Sequence, residues 1–302
     1  MPVEVAAAVI QRADGAFLLA RRPAGKAYAG YWEFPGGKVE PGEPPAHALA
    51  RELHEELGIE PRTAYPWITR EYTYPHAAVR LNFFRVTAWR GEPHPREEQV
   101  IAWQRLDAPL VAPMLPANAP VLAALALPDE YGITDAEKRG EGAMLSAIRV
   151  RLEDGLRLIQ VRDKRLPRRQ VFAVAVVELA RRHGARVLIN GGPDIADGIH
   201  LDSRALMGSS ARPPGVLVAA SCHDRAELAH AMALGLDFVV LGPVKATASH
   251  PGAQPLGWEG FARLALGASV PVYAIGGLRR DDLEDAWRAG AHGVAMIRGA
   301  WD

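Results

Sequence analysis

The residues best equipped for chemistry lie between positions 37 and 59. Gly37 is followed by Glu43 and then by the run Arg51-Glu52-Leu53-His54-Glu55-Glu56-Leu57-Gly58-Ile59. Pro44 and Pro45 suit the first turn of a helix, where a missing N–H has no intrahelical partner, and Gly58 suits its end. The pattern predicts a helix over residues 45–57. At 100° per residue, Glu52, Glu55 and Glu56 share an arc of about 100°, while Ala46, Leu49, Ala50, Leu53 and Leu57 fill the neighbouring one. One side packs and the other presents carboxylates. Two like charges about 4 Å apart repel by roughly 1 kcal/mol in water and about 4 kcal/mol at an effective dielectric of 20, so three held together call for cations. Oxygen-only ligands select Mg²⁺, with Mn²⁺ as the other candidate, over zinc. An acidic surface face with Arg51 as its partner would account for the charges, but not for Gly37, Glu43 and Gly58 at their offsets. A chance match at all seven fixed positions is on the order of one in 10⁸.

Residues 3–10 and 16–20, joined by the turn Ala13-Asp14-Gly15, read as a β-hairpin ahead of this helix. Residues 69–74, 79–89 and 100–106 read as further strands, and residues 117–126 as a short helix. Beyond Pro128 the rhythm changes to short apolar strands alternating with helical stretches. The strands fall at 131–134, 156–161, 186–190, 198–201, 216–219, 238–241, 272–275 and 293–297. Eight such units in about 170 residues imply a compact parallel (β/α)8 barrel. The chain of 302 residues thus divides into a first domain over 1–127 and a second over 131–302.

Basic and acidic residues balance at 35 each, which argues against a broad nucleic-acid or membrane-binding surface. No apolar run is long enough to span a bilayer, and the amino terminus shows no signal-peptide pattern. A single cysteine, Cys222, excludes an internal disulfide and favours the cytoplasm.

The spacing from Gly37 to Ile59 resembles the Nudix box, without gap or substitution. The flanking strings Arg21-Arg22, Trp32-Glu33-Phe34-Pro35-Gly36-Gly37-Lys38, Gly91-Glu92-Pro93 and Pro116-Ala117-Asn118-Ala119-Pro120 are similar to the MutT branch of that family. The resemblance implies an α/β/α sandwich with a mixed sheet. It also implies metal contacts from the Gly36 carbonyl, Glu52, Glu55, Glu56 and Glu97, and a nucleotide held by Arg22, Phe34 and Asn118, with the Asn118 amide at the purine edge. Glu52 or Glu97 could serve as general base. The implied activity is Mg²⁺-dependent hydrolysis of a nucleoside triphosphate, of the 8-oxo-dGTP diphosphatase kind that gives 8-oxo-dGMP and pyrophosphate. Its role would be nucleotide-pool sanitation in DNA repair.

Residues 131–301 resemble the thiamine-phosphate synthase (ThiE) and TenI group of TIM barrels. The strings that carry the likeness are Ile159-Gln160-Val161-Arg162-Asp163-Lys164, Leu188-Ile189-Asn190, Ala196-Asp197-Gly198-Ile199-His200-Leu201, Ser221-Cys222-His223, Leu241-Gly242-Pro243 and Ala274-Ile275-Gly276-Gly277-Leu278. Gln160, Arg162, Lys164 and Asn190 would form a phosphate or pyrophosphate cradle, and His223 would lie at the ligand. Gly276, Gly277 and Gly299 suit a phosphate held by backbone N–H groups. The ligand implied is a thiazole or pyrimidine phosphate. Three departures stand against a working synthase. Gly191 and Ala205 occupy the places of the pattern's Mg²⁺-binding aspartates, and Thr247-Ala248-Ser249-His250 lacks its lysine. The alternative to a sanitising enzyme is a thiamine-linked bifunctional protein that hydrolyses thiamine-type diphosphates, with the barrel acting as a TenI-like isomerase or a phosphate-ligand module.

Overall fold

The computed structural model describes all residues except 1, 97, 98, 191–194, 215, 216, 248–251 and 253. The chain divides into two compact units, residues 1–126 and 127–302.

The first unit contains β1 (Val3–Ile10), β2 (Phe17–Arg21), β3 (Trp32–Glu33), β4 (Gly36–Lys38), α1 (Pro45–Leu57), β5 (Glu60–Tyr74), β6 (Ala77–Arg90), β7 (Val100–Gln104) and α2 (Ala119–Leu125). One sheet runs β4-β1-β6-β5, with β1 parallel to β6 and antiparallel to β4; a second runs β3-β2-β7. Period-two alternation along β1 explains the layering. Ala6, Ala8 and Ile10 pack with Leu49, Leu53 and Leu57 of α1, whereas Ala7 and Val9 pack on the other side with Val121 and Ala124 of α2. The result is the expected α/β/α sandwich.

The hairpin expected from residues 3–20 does not form as a ladder. A strand buried on both faces belongs in a sheet interior, and β1 is flanked by β4 and β6. Between β1 and β2 there is an isolated Gln11–Phe17 bridge, and β2 pairs with β3 and β7 instead. Strand β5 is longer than expected because it sits at a sheet edge, where Pro61 and Pro66 are tolerated beside register shifts in its pairing with β6.

The second unit is a closed parallel barrel of β8 (Glu130–Ile133), β9 (Leu158–Val161), β10 (Arg186–Asn190), β11 (Gly198–Leu201), β12 (Leu217–Cys222), β13 (Phe238–Leu241), β14 (Val272–Ile275) and β15 (Gly293–Met296), with β15 pairing back onto β8. Alternate residues fill the interior: Leu158, Leu188, Ala219, Phe238 and Tyr273 point inward, while Ile159, Val187, Ile189, Val218 and Val239 pack against the helical layer. The same alternation carries Gln160, Asn190, His200 and Ser221 to the inner face at the carboxyl ends of their strands. Among the described residues no helix is long and apolar enough to cross a membrane.

Candidate active site

In the first unit, α1 spans Pro45–Leu57 as the sequence predicts, and Gly58 closes it in the left-handed conformation with its N–H on the His54 carbonyl. Leu49, Leu53 and Leu57 anchor one face. The opposite face meets the Gly36-Gly37 corner of β4. A Cβ at Gly37 would lie 2.2 Å from the Glu52 carboxylate, and one at Gly36, where φ is +139°, would lie 2.1 Å from the Ala6 carbonyl oxygen. Each glycine is therefore required by a close approach: Gly36 lets β4 lie on β1, and Gly37 leaves room for Glu52.

Arg51 organises the acidic face. Its guanidinium bonds Glu43 at 3.0 Å, Glu52 at 2.8 Å, Glu55 at 3.5 Å and the Lys38 carbonyl at 3.0 Å. Glu43 is thereby tied to the helix that follows it, which explains its fixed offset. Glu56 lies apart from this fan. It accepts from Gln99 Nε2 at 2.9 Å and from the Gly36 N–H at 3.3 Å, and burial pushes its pKa up to about 7. Glu97 falls outside the described residues.

Among the described residues no three His, Cys, Asp or Glu side chains are spaced to hold a metal ion. The donor set nonetheless suits a hard divalent cation. Glu52, Glu55 and Glu56 offer only oxygen, and Glu56 is a desolvated carboxylate whose ionisation a nearby cation would restore. Among the described residues, Gln99 Oε1 is buried in the same cluster with no hydrogen-bond partner.

The proposed nucleotide residues divide into two kinds. Arg22 donates from Nη1 to both oxygens of Glu33 at 2.7 Å and from Nε to the Ala27 carbonyl at 2.7 Å. Asn118 is buried at the start of α2, where its side chain makes no capping hydrogen bond; its amide instead donates to the Trp32 carbonyl at 3.4 Å. Phe34 lies in the core against Phe17 and Phe83, as buried as Asn118. Tyr74 bridges the region: it contacts Tyr28, Tyr72 and His76, and burial, then the Glu33 charge, raises its pKa to about 12.

The barrel brings all eight of its proposed ligand residues to one cavity of about 630 Å³: Gln160, Arg162, Lys164, Asn190, His223, Gly276, Gly277 and Gly299. Gln160 donates to Asn190 Oδ1, and Asn190 donates to the His200 carbonyl at 3.1 Å. Lys164 is paired with Asp202, whose other oxygen caps the next helix by accepting from Ala205 N at 2.9 Å. His223 Nδ1 meets Glu227 Oε2 at 3.0 Å. Of the three departures, Ala205 is described and carries no carboxylate, while Gly191, Ser249 and His250 lie outside the described residues.

Comparison with known proteins is decisive for the family. Residues 1–125 match the NUDIX domain, and residues 130–300 match the family described as thiamine monophosphate synthase (TMP-TENI). The chain belongs to both families. Its Nudix unit is 41% identical over 122 residues to the CTP pyrophosphohydrolase of Escherichia coli strain K12, covering 40% of this chain and 90% of the relative. It is 37% identical over 123 residues to the 8-oxo-dGTP diphosphatase of the same strain, covering 41% and 95%. The synthase-family barrel is 38% identical over 178 residues to a putative thiamine-phosphate synthase of Geobacter sulfurreducens, covering 55% and 84%.

Three residues of the Nudix unit join the site without having been assigned to it from the sequence. Gln99 holds Glu56, Glu33 clamps Arg22, and Tyr74 adjoins both Glu33 and the aromatic cluster. Glu33 was visible as the one acidic residue within the string Trp32-Glu33-Phe34. Gln99 and Tyr74 become informative only once strand pairing places them.

Proposed function

We propose that the Nudix unit hydrolyses 8-oxo-dGTP to 8-oxo-dGMP and pyrophosphate, and so removes oxidised guanine nucleotide from the precursor pool. The observation that carries this reading is the buried Asn118 amide. It can donate and accept at once, as a purine edge requires, and it is not consumed by capping α2. The rings of Tyr28, Tyr72, Tyr74 and His76 offer faces on which a base can stack beside the Arg22–Glu33 pair.

Glu52, Glu55, Glu56 and the Gly36 carbonyl, together with Glu97, would hold the divalent ion, with Mg²⁺ preferred. When bound, the ion neutralises polyphosphate charge and lowers the pKa of a water. Arg51 keeps Glu52 and Glu55 aimed along one face, and Glu52 or Glu97 takes the proton of the attacking water. The water oxygen bonds to the β-phosphorus in line with the oxygen that bridges to the α-phosphorus; the bond from the β-phosphorus to that oxygen breaks, the oxygen leaves with the nucleoside monophosphate, and the β- and γ-phosphates depart as pyrophosphate.

The second reading is a thiamine-directed protein, and it is favoured by the fusion to a synthase-family barrel. In the barrel, Gly191 and Ala205 remove two carboxylates that would help pyrophosphate leave, so synthase chemistry is not expected. His223, which lines the cavity and is paired with Glu227, fits a proton-shuttling isomerase or a phosphate-ligand module acting on a thiazole or pyrimidine phosphate.

Steady-state hydrolysis of 8-oxo-dGTP, dGTP, CTP and thiamine diphosphate, side by side with Mg²⁺ and with Glu55→Gln as control, tests both readings. Preference for 8-oxo-dGTP supports the first, and preference for thiamine diphosphate the second. Full turnover by Glu55→Gln overturns the assigned metal site.

A further inference from the structure

Gln99 is pinned from both sides in the chain. It directly precedes β7, whose first residue, Val100, pairs with Arg21 of β2. The loop that leads to it is fastened to the end of α1: His94 N donates to the Leu57 carbonyl at 3.1 Å, Arg96 N to the Glu56 carbonyl at 3.0 Å and Arg96 Nη1 to the His54 carbonyl at 3.0 Å. These carbonyls belong to the last turn, where a helix runs out of its own donors. The Gln99 side chain, in a residue 8% exposed, then donates from Nε2 to Glu56 Oε1 at 2.9 Å, while Glu56 Oε2 accepts from Gly36 N at 3.3 Å.

The other half of the amide is idle. Gln99 Oε1 is buried, and among the described residues no donor reaches it. A buried carbonyl oxygen without a partner costs free energy, and folded proteins keep few of them. Turning the amide over brings no relief. With Glu56 ionised, as a bound cation requires, the turn would set Oε1 against a carboxylate oxygen and leave Nε2 idle instead. Negative charge gathers at the same place, because Glu33 and Glu52 both repel a charge on Glu56. A hard divalent ion offsets that charge, and an ion such as Mg²⁺ keeps several waters whose protons need acceptors. Oε1 belongs to the same planar amide as the nitrogen that holds Glu56, which sets it beside whatever Glu56 binds.

We propose that Gln99 is a positioning residue of the Nudix metal site: its Nε2 fixes the Glu56 carboxylate, and its Oε1 accepts a proton from a water carried by the ion. The proposal rests on the reading of Glu52, Glu55 and Glu56 as metal ligands. The neutrality of the amide matters. A further carboxylate here would add to the repulsion among Glu33, Glu52 and Glu56 in the metal-free protein, whereas the amide supplies an acceptor without a charge. Partners that orient a ligand and its waters from behind carry about ten- to a hundredfold of a metal's affinity.

Metal binding by the full-length protein, without nucleotide, tests it. Titration calorimetry with Mg²⁺ alone should give Gln99→Met a Kd at least about tenfold above that of the wild type. Methionine matches glutamine in length, and melts in EDTA establish that the variant folds; Gln99→Asn, one methylene short, takes its place if it does not and should weaken Mg²⁺ as well. A second readout uses the wild type labelled with ¹³C at the glutamine side-chain carbonyls, with Gln99 assigned from the signal that either variant lacks. That signal should move when Mg²⁺ is added. Equal Mg²⁺ affinity in wild type and variant, or a Gln99 signal that stays in place while Mg²⁺ binds, overturns the positioning role. Failure of the wild type to bind Mg²⁺ or Mn²⁺ overturns the metal-site reading and the proposal with it. Mg²⁺ binding with both expected Gln99 effects, in a protein that does not hydrolyse 8-oxo-dGTP, upholds the proposal and overturns only the substrate reading.

Discussion

The Glu52 carboxylate occupies the space a side chain at Gly37 would need: a Cβ there would lie 2.2 Å from it. Gly37→Ala should therefore leave the fold intact, because the displaced atoms belong to a flexible side chain, but should lower kcat by about 100-fold through misplacement of Glu52. Gly36→Ala differs in kind. Its Cβ would meet the Ala6 backbone, and φ there is +139°. That variant should unfold at lower temperature, and thermal melts beside turnover assays separate the two cases.

Glu56 makes the metal-free Nudix unit sensitive to pH. Its folded pKa, about 7, lies above the ordinary carboxylate value of 4.5 because burial penalises its charge. The folded state thus binds the extra proton, and stability should fall as pH rises from about 4.5 through 7. The loss is about 3 kcal/mol at most. Urea melts in EDTA across that range should show the decline, with Mg²⁺ or Glu56→Gln flattening it; a flat profile in EDTA would contradict it.

Asn118→Ala should reduce kcat/KM for 8-oxo-dGTP by roughly 10- to 100-fold, the cost of leaving a base edge unpaired. Because the Asn118 side chain makes no cap hydrogen bond, the melting temperature should move little. A large melting shift with unchanged substrate preference would show that the residue is structural.

Asp202 restrains Lys164 in the barrel cradle. Asp202→Ala should free the ammonium and strengthen binding of inorganic phosphate by roughly two- to fivefold, measured by calorimetry at low salt. The same change removes the cap on the helix Ser203–Met207, so a stability loss of about 1 kcal/mol should accompany it.

The helix that bears the carboxylates was legible to the residue, because proline at its start, leucines at helical spacing and glycine at its end all point one way. The barrel was legible for a similar reason: short apolar strands recur at regular intervals. The strand pair of residues 3–20 was misread because turn chemistry at Asp14-Gly15 is local, whereas the partners that win, β4 and β6, come from farther along the chain. Strands β3 and β4 were not foreseen: each spans only two or three residues, and β4 is glycine-rich. Arg51 looked like an intrahelical partner, yet it also reaches back to Glu43 and Lys38, contacts that depend on the folded loop. The Gln99–Glu56 contact likewise exists only through tertiary placement.

The return of β15 onto β8 has a consequence for synthesis. On the ribosome, the strand at Glu130–Ile133 emerges early and must wait for nearly the whole barrel before its last neighbour, Gly293–Met296, is translated. The Nudix unit depends on no such late arrival. It can fold during translation, while the barrel's ring of strands is completed only near the end of the nascent chain.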